Sequence, residues 1–204
     1  MRILAIDTST DMTTLALVQD SVVLGSAEHT DARGHVEAIG VLFAQINQLD
    51  VTKSEFEAPD VVVCGVGPGP FTGLRVGIAF GESLALAWGV PVVGICSLDA
   101  VARNIVRTTS PDSEFIAVTD ARRGEYYWAR YAPDGQRLSG PSVDKKEVVE
   151  QMSATVVAGH HPLGVDLAEC LGSAEQLPIT PLYLRPPDAQ PATKTPASGV
   201  GVQP

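Results

Sequence analysis

Two aspartates stand where a chain can do chemistry. Asp7 closes the apolar run Ile3-Leu-Ala-Ile and is followed by Thr8 and Ser9; Asp120 closes a second run that begins at Phe115 and continues into Ala-Arg-Arg123. A carboxylate at the end of a buried strand can sit against a phosphate-bound metal or act on a reacting group. It can equally close a turn, because Asp, Thr and Ser side chains bond nearby backbone N–H groups, and for Asp7 that reading is slightly favoured. Arg122 and Arg123, beside Tyr126 and Tyr127, could contact an anion; surface pairing across a hairpin is the commoner role of such residues. The histidines, His29, His35, His160 and His161, show neither H-x-x-x-H nor H-E-x-x-H spacing, so no metal site is expected. No serine has the G-x-S-x-G setting of a hydrolase nucleophile. An independent enzyme is hard to assemble from these residues.

The element that organises the chain is Asp60-Val-Val-Val-Cys-Gly-Val-Gly-Pro-Gly-Pro-Phe-Thr-Gly-Leu-Arg-Val-Gly77. A β-branched run predicts a buried strand. A glycine-proline turn follows, then a helix from Leu74 to about Trp88. A helix start after a glycine turn can hold an anion. Here the P-loop lysine is missing, because Leu74-Arg75 follows Gly73, and Gly65-Val-Gly67-Pro-Gly69-Pro70 lacks the third glycine of a dinucleotide fingerprint. A rigid corner is therefore favoured over an anion site.

Around this centre the chain reads as alternating elements. Residues 2–7, 13–18 and 22–27 are expected strands, with Gln19-Asp20-Ser21 as a turn. From Gly34 the period becomes helical, with Val36, Ile39, Phe43 and Ile46 in register and Leu42 and Leu49 beside them. Residues 50–59 read as a linker. Gly77, Gly81 and Ala85 recur at i, i+4 and i+8 of the second helix, a face that lets another backbone approach closely. Contact with its own sheet is the plain reading of that face; contact with a partner helix is the sharper one. Pro91 to Cys96 is a strand, and Ser97 is expected to cap a helix reaching Val106. The segment 107–113 is a polar break. Residues 115–120 form a strand, 120–131 continue as strand to a turn at Pro133-Asp134-Gly135, 145–152 form a short helix and 155–158 a short strand. After Arg185 the Pro/Ala-rich segment carries no core residues and reads as disordered.

A 204-residue chain with 45% hydrophobic and 19% charged residues can bury a real core. Net charge −10 argues against a chain that grips nucleic acid by itself. Cys64, Cys96 and Cys170 lie in apolar surroundings without metal spacing and read as reduced core thiols of a cytoplasmic protein. The apolar stretch 76–96 is long enough to cross a bilayer, but Pro91 and the change from Ala/Leu to Val/Ile favour a buried helix and strand.

The stretches Ile3-Leu-Ala-Ile-Asp-Thr-Ser9, Gly67-Pro-Gly-Pro-Phe-Thr-Gly-Leu-Arg75, Pro91-Val-Val-Gly-Ile, Asp120-Ala-Arg-Arg123 and Pro181-Leu-Tyr-Leu-Arg185 resemble, in order, the bacterial TsaB (YeaZ) family. Two departures stand out: Pro70 replaces the family's usual serine, and the second half is short. The resemblance implies an α/β chain of the actin-like ATPase (ASKHA, ribonuclease H-like) fold with two related α/β halves. Here these would be residues 1–107, carrying partner-binding helices, and a smaller half, 108–186, before the tail 187–204. The resemblance also implies a non-catalytic subunit that supports the threonylcarbamoyl transferase TsaD, with TsaE as ATPase, in making threonylcarbamoyladenosine in tRNAs that read codons beginning with A. It implies no cofactor or metal of its own, ATP or ADP only in the assembled complex, tRNA contact only through that complex, a homodimer when alone, and no membrane association.

Carried onto this sequence, the family's helix bundle assigns Val36, Ile39, Phe43, Leu74, Gly77, Ile78, Gly81 and Ala85 to the partner, overriding the plain reading of the small face. Gly81→Leu is then expected to abolish TsaD binding and leave the fold intact. Possible nucleotide or anion contacts are Asp7, Thr8, Gly69, Thr72, Arg75 and Asp120. The rival is a catalytic ATPase or sugar-kinase-like enzyme of the same fold that uses the two aspartates; a peptidase finds no supporting motif.

Overall fold

Strand β1 (Arg2–Asp7) lies within a six-stranded sheet whose strands follow the order 176–177, 92–95, 61–65, 2–7, 12–19 and 22–30 in the computed structural model, which describes residues 1–31, 34–47 and 57–185. The chain runs β1, β2 (Met12–Gln19), β3 (Val22–Thr30), α1 (His35–Ile46), β4 (Val61–Gly65), α2 (Phe71–Trp88), β5 (Val92–Ile95) and α3 (Ser97–Thr109). It continues through β6 (Phe115–Asp120), β7 (Glu125–Tyr131), β8 (Arg137–Lys145), α4 (Lys146–Val149), β9 (Thr155–Val157), α5 (Gly164–Cys170) and β10 (Gln176–Leu177).

The central strands β1, β2 and β4 of the first sheet are buried on both faces, and their residues alternate accordingly. Leu4, Ile6, Val62 and Cys64 point to one side, where α1 contributes Ala38, Ile39, Leu42 and Ile46 and α2 contributes Ala85. Ile3, Ala5, Val61 and Val63 point to the other, against Ala100 of α3 and Leu167 and Ala168 of α5. Helix α3 is shared: Leu98, Val101, Ala102 and Ile105 pack on Phe115, Ala117, Ala129 and Tyr131 of the second sheet.

That second sheet has the order β8-β7-β6-β9. β6 pairs antiparallel with β7 and parallel with β9, just as β1 pairs antiparallel with β2 and parallel with β4. The two sheets therefore repeat one topology, the two related halves of an actin-like ATPase fold. The repeat is unequal, because the crossover α1 of the first half corresponds to the four-residue α4 of the second. Residues 164–177 return to the first half: α5 covers β1 and β2, and β10 extends the sheet beside β5. The chain thus does not divide between its layers at a single point near residue 107.

Several local expectations are corrected. Helix α2 begins at Phe71 rather than Leu74, because Pro70 supplies an extended N-cap with φ −60° and ψ 138°. Ser97 is the first residue of α3 and not its cap; Cys96 occupies the cap position and the helix runs to Thr109. Residues 120–131 are not one strand, since Arg122 and Arg123 take φ of 60° and 55° and turn β6 back into β7. The expected helix 145–152 contracts to α4. Neither α5 nor β8 was anticipated. The apolar stretch 76–96 divides at Gly89, φ 68°, into the end of α2 and β5. Among the described residues no helix is long and apolar enough to cross a membrane. The expectations for Leu49, most of the linker 50–59 and the tail 187–204 lie outside the described residues.

Candidate functional site

The strand-end acids come out very differently. Asp7 is fully buried. Its Oδ1 accepts the Ser9 backbone N–H at 2.7 Å, and its Oδ2 accepts the Ser97 hydroxyl at 2.6 Å. Ser97 Oγ in turn accepts the Gly67 N–H at 3.1 Å. Burial pushes the Asp7 carboxyl up to about 6, against the pull of the hydrogen bonds from Ser97 and Ser9. Asp7 therefore clamps β1, the glycine turn and the start of α3 together. Asp120 is instead exposed and pairs with Lys146 at 3.0 Å, whose ammonium also lies 4.7 Å from the Tyr126 ring centre. Nearby, Glu125 pairs with Lys145 and Arg185.

The glycine corner is closed by the backbone it approaches. A Cβ on Gly73 would stand 2.5 Å from the Thr8 carbonyl oxygen, and one on Gly69 would overlap the Ser9 carbonyl. Thr8 is buried, donates its hydroxyl to the Gly73 carbonyl at 2.7 Å and accepts the Gly77 N–H at 3.0 Å. Arg75 lies 3.8 Å from the Phe71 ring centre and donates from Nε to Tyr183 Oη at 2.9 Å, while Phe71 stacks on Tyr183 at 4.9 Å. Of the possible nucleotide contacts, Asp7, Thr8 and Gly69 are engaged with the chain itself, and Thr72, Arg75 and Asp120 remain exposed. Among the described residues no three His, Cys, Asp or Glu side chains are grouped to hold a metal.

The expected partner face needs a larger correction. Ile39, Leu74, Gly77, Ile78, Gly81 and Ala85 are all buried within this chain. A Cβ on Gly77 would overlap Thr8 Oγ1, and one on Gly81 would overlap Cys64 Sγ. The small residues of α2 exist to let that helix lie close on its own β1 and β4. Gly81→Leu would consequently disturb the fold itself. Helical spacing identified a face correctly but not its neighbour. Of the eight residues assigned to a partner, Val36 is 65% exposed and Phe43 is half-buried at the seam between α1 and α2. There Phe43 meets Phe80 edge-on at 5.7 Å and Trp88 at 6.0 Å.

What α1 and α2 turn outward includes a stripe of small and apolar residues, interrupted by the exposed Glu37 of α1 and Glu82 of α2. Val36, Gly40, Val41 and Ala44 of α1 and Ala79, Ser83, Leu86 and Ala87 of α2 are exposed, with Val41 at 67% and Leu86 at 85%. A Cβ on Gly40 would meet nothing within 4 Å. Glycine in an exposed helix interior costs about 1 kcal/mol relative to alanine, and nothing within the described chain offsets it at Gly40.

The TsaD family model, described as tRNA N6-adenosine threonylcarbamoyltransferase, matches residues 23–181. The Escherichia coli protein named tRNA threonylcarbamoyladenosine biosynthesis protein TsaB is 36% identical over 66% of this chain and 56% of its own length. The chain belongs to the TsaB (YeaZ) family. It thus spans little more than half of that E. coli relative. It is also 39% identical to an uncharacterized Mycobacterium tuberculosis protein, over 93% of the chain and 94% of that protein. The solved structure of YeaZ from Pseudomonas aeruginosa, at 25% identity and TM-score 0.72, covers 90% of this chain and is itself covered to 99%.

Proposed function

We propose that this chain works in the biosynthesis of threonylcarbamoyladenosine in tRNA, as a non-catalytic subunit that docks on TsaD through the outward face of α1 and α2. The observation that carries the docking part is the exposed stripe of Gly40, Ala44, Ala79 and Ser83, flanked by Val36, Val41 and Leu86. A second helix pair could approach such a stripe closely, and a buried small-residue seam gives an association free energy that an isolated stripe leaves unused. The family membership, and the E. coli relative named for this biosynthesis, support the choice of pathway and of TsaD as occupant.

The non-catalytic part is supported by Asp7. Both its carboxylate oxygens are bonded inside the protein, so the group best placed for catalysis serves as a clamp. In this reading the chain carries no cofactor of its own, ATP or ADP enters only with the assembled complex and TsaE, and tRNA is contacted through the complex in the cytoplasm. A homodimer through the same face occupies the surface when TsaD is absent. The modified tRNAs are those reading codons that begin with A.

The test is light-scattering mass across a concentration series, alone and with TsaD from the same organism. The parent chain should form a tight mixed complex. Gly40→Arg and Ala79→Arg, both at open positions, should abolish it without lowering the unfolding transition, which Gly40→Arg should raise. A complex that survives both substitutions puts the interface elsewhere; a chain that ignores TsaD overturns the proposal. The rival ATPase predicts turnover by the isolated chain that Asp7→Asn removes.

A further inference from the structure

The outward face of α1 and α2 carries unmatched charge of one sign. Glu37 of α1 precedes Gly40, Val41 and Ala44 by three, four and seven residues, and Glu82 of α2 follows Ala79 by three and precedes Leu86 by four. Helical spacing therefore sets both carboxylates among the small and apolar residues of that face. Both are exposed, and neither makes a hydrogen bond or an ion pair among the described residues. The remaining permanent charge on the two helices is Arg75, which precedes Glu82 by two turns, about 10 Å along the axis. Its guanidinium is held over the Phe71 ring and donates to the Tyr183 hydroxyl.

An acid in the first turn also complements the helix dipole, which accounts for Glu37 without any partner. Glu82 stands in the middle of α2, where that effect is absent. A second copy of this chain is badly matched to such a face. Two-fold symmetry sets one patch against itself, so a homodimer gathers four carboxylates, and the two Arg75 side chains it brings are already engaged. Each copy adds a net charge of −10 at longer range. Like charges across an interface oppose association, and a carboxylate covered without a cation loses water and gains nothing in return. A helix pair with lysine or arginine opposite the two glutamates removes both costs.

We propose that Glu37 and Glu82 select the occupant of this face: they keep self-association weak and fit a partner whose facing helices carry lysine or arginine opposite them. This inference rests on the docking role proposed above for α1 and α2, and adds the chemistry of the surface that docks. Discrimination of this kind works by penalising the wrong partner as well as by contacts to the right one. It accounts for a homodimer that forms alone and yields once TsaD is present.

Association constants of the full chain, alone and with TsaD from the same organism, test this at about 0.05 M and about 0.5 M salt. Added salt should weaken the mixed complex and strengthen self-association. Glu37→Gln combined with Glu82→Gln should tighten self-association about tenfold and weaken the TsaD complex about tenfold. Glu82→Lys, which sets like charges against each other, should weaken that complex further. Both side chains are exposed, so circular dichroism should be unchanged. Gly40→Arg separates the two ideas. If it leaves both associations intact, the docking role fails and this inference falls with it. If it abolishes them while the glutamine variant leaves both constants within about twofold, the face is right and the selection by charge is overturned. A parent that stays monomeric at every concentration leaves the decision to the TsaD constants alone, and a parent that also ignores TsaD overturns both.

Discussion

Gly81→Ala puts one methyl group into the tightest contact between α2 and the first sheet. The new Cβ would overlap Cys64 Sγ, while the next atoms, Val62 Cγ1 at 3.4 Å and Ile6 Cδ1 at 3.6 Å, are at ordinary contact distance. The clash is therefore with one atom. Overpacking of this kind costs about 1–3 kcal/mol, and alanine returns about 1 kcal/mol of helix propensity, so the single variant should lose about 0–2 kcal/mol. Cys64→Ala alone deletes a buried thiol and should lose about 1 kcal/mol by the same reasoning that governs small core deletions. Together the two changes exchange one buried atom for another. The double variant should lie within about 1 kcal/mol of the parent, a coupling of about 2 kcal/mol. Guanidinium unfolding of all four proteins measures it. A Gly81→Ala variant more stable than the parent, with additive single effects, would refute the inward packing of this face and restore it as a candidate partner surface.

Three residues extend the test to the rest of the molecule. Asp7 is raised by burial to about 6, above its ordinary 3.8. Its contribution to stability is therefore full below about pH 4 and is lost as pH rises through about 6, by roughly 3 kcal/mol at 1.36 kcal/mol per unit. Asp7→Asn should gain on the parent by up to that amount between pH 4 and pH 7.5; chemical unfolding at the two pH values checks it, and an unchanged difference would show that Asp7 is not a buried charge. Asp166, 1% exposed at its side chain, receives both Arg107 bonds, at 2.8 and 2.9 Å, and ties α5 to α3. Asp166→Ala should destabilise by about 2 kcal/mol, the range for charge-assisted hydrogen bonds, and should speed amide exchange in α5 ahead of β1. Gly164→Ala should act at the same junction, because its Cβ would stand 2.7 Å from the Ala16 nitrogen of β2, an atom that cannot move; a melting temperature equal to the parent's would contradict that docking.

Much of the fold was legible because local pattern and final environment agree. The run Val61-Val-Val63 needs burial on both faces and receives it; the turn at Asp20-Ser21 and the helix from Gly34 follow from residue chemistry alone. The repeated device of an apolar strand ending in an acid, at Asp7 and Asp120, did mark two related halves. The different fates of the two acids were not legible. Asp7 is closed off by Ser97, 90 residues away, whereas Asp120 stays exposed beside Lys146, and neither pairing has a sequence signature. Short elements escaped as well: α5 has seven residues, too few to show a helical period, yet it packs on one face of the central sheet.

By itself, then, the sequence determined which segments could be strands and helices, that two halves repeat, and which family the motifs resemble. The elements follow from period and turn chemistry along the chain, and the two halves from the family that the motifs resemble. Only the tertiary structure decided which side of a helix looks inward. On α2, glycines occur because Thr8 and Cys64 lie beneath them; on α1, Gly40 has open space above it. Glycine spacing is the same kind of signal in either case, since a missing side chain records a close neighbour without saying which one. The choice between the protein's own sheet and a partner's helix is set by atoms distant in sequence, and those are brought together only by the fold.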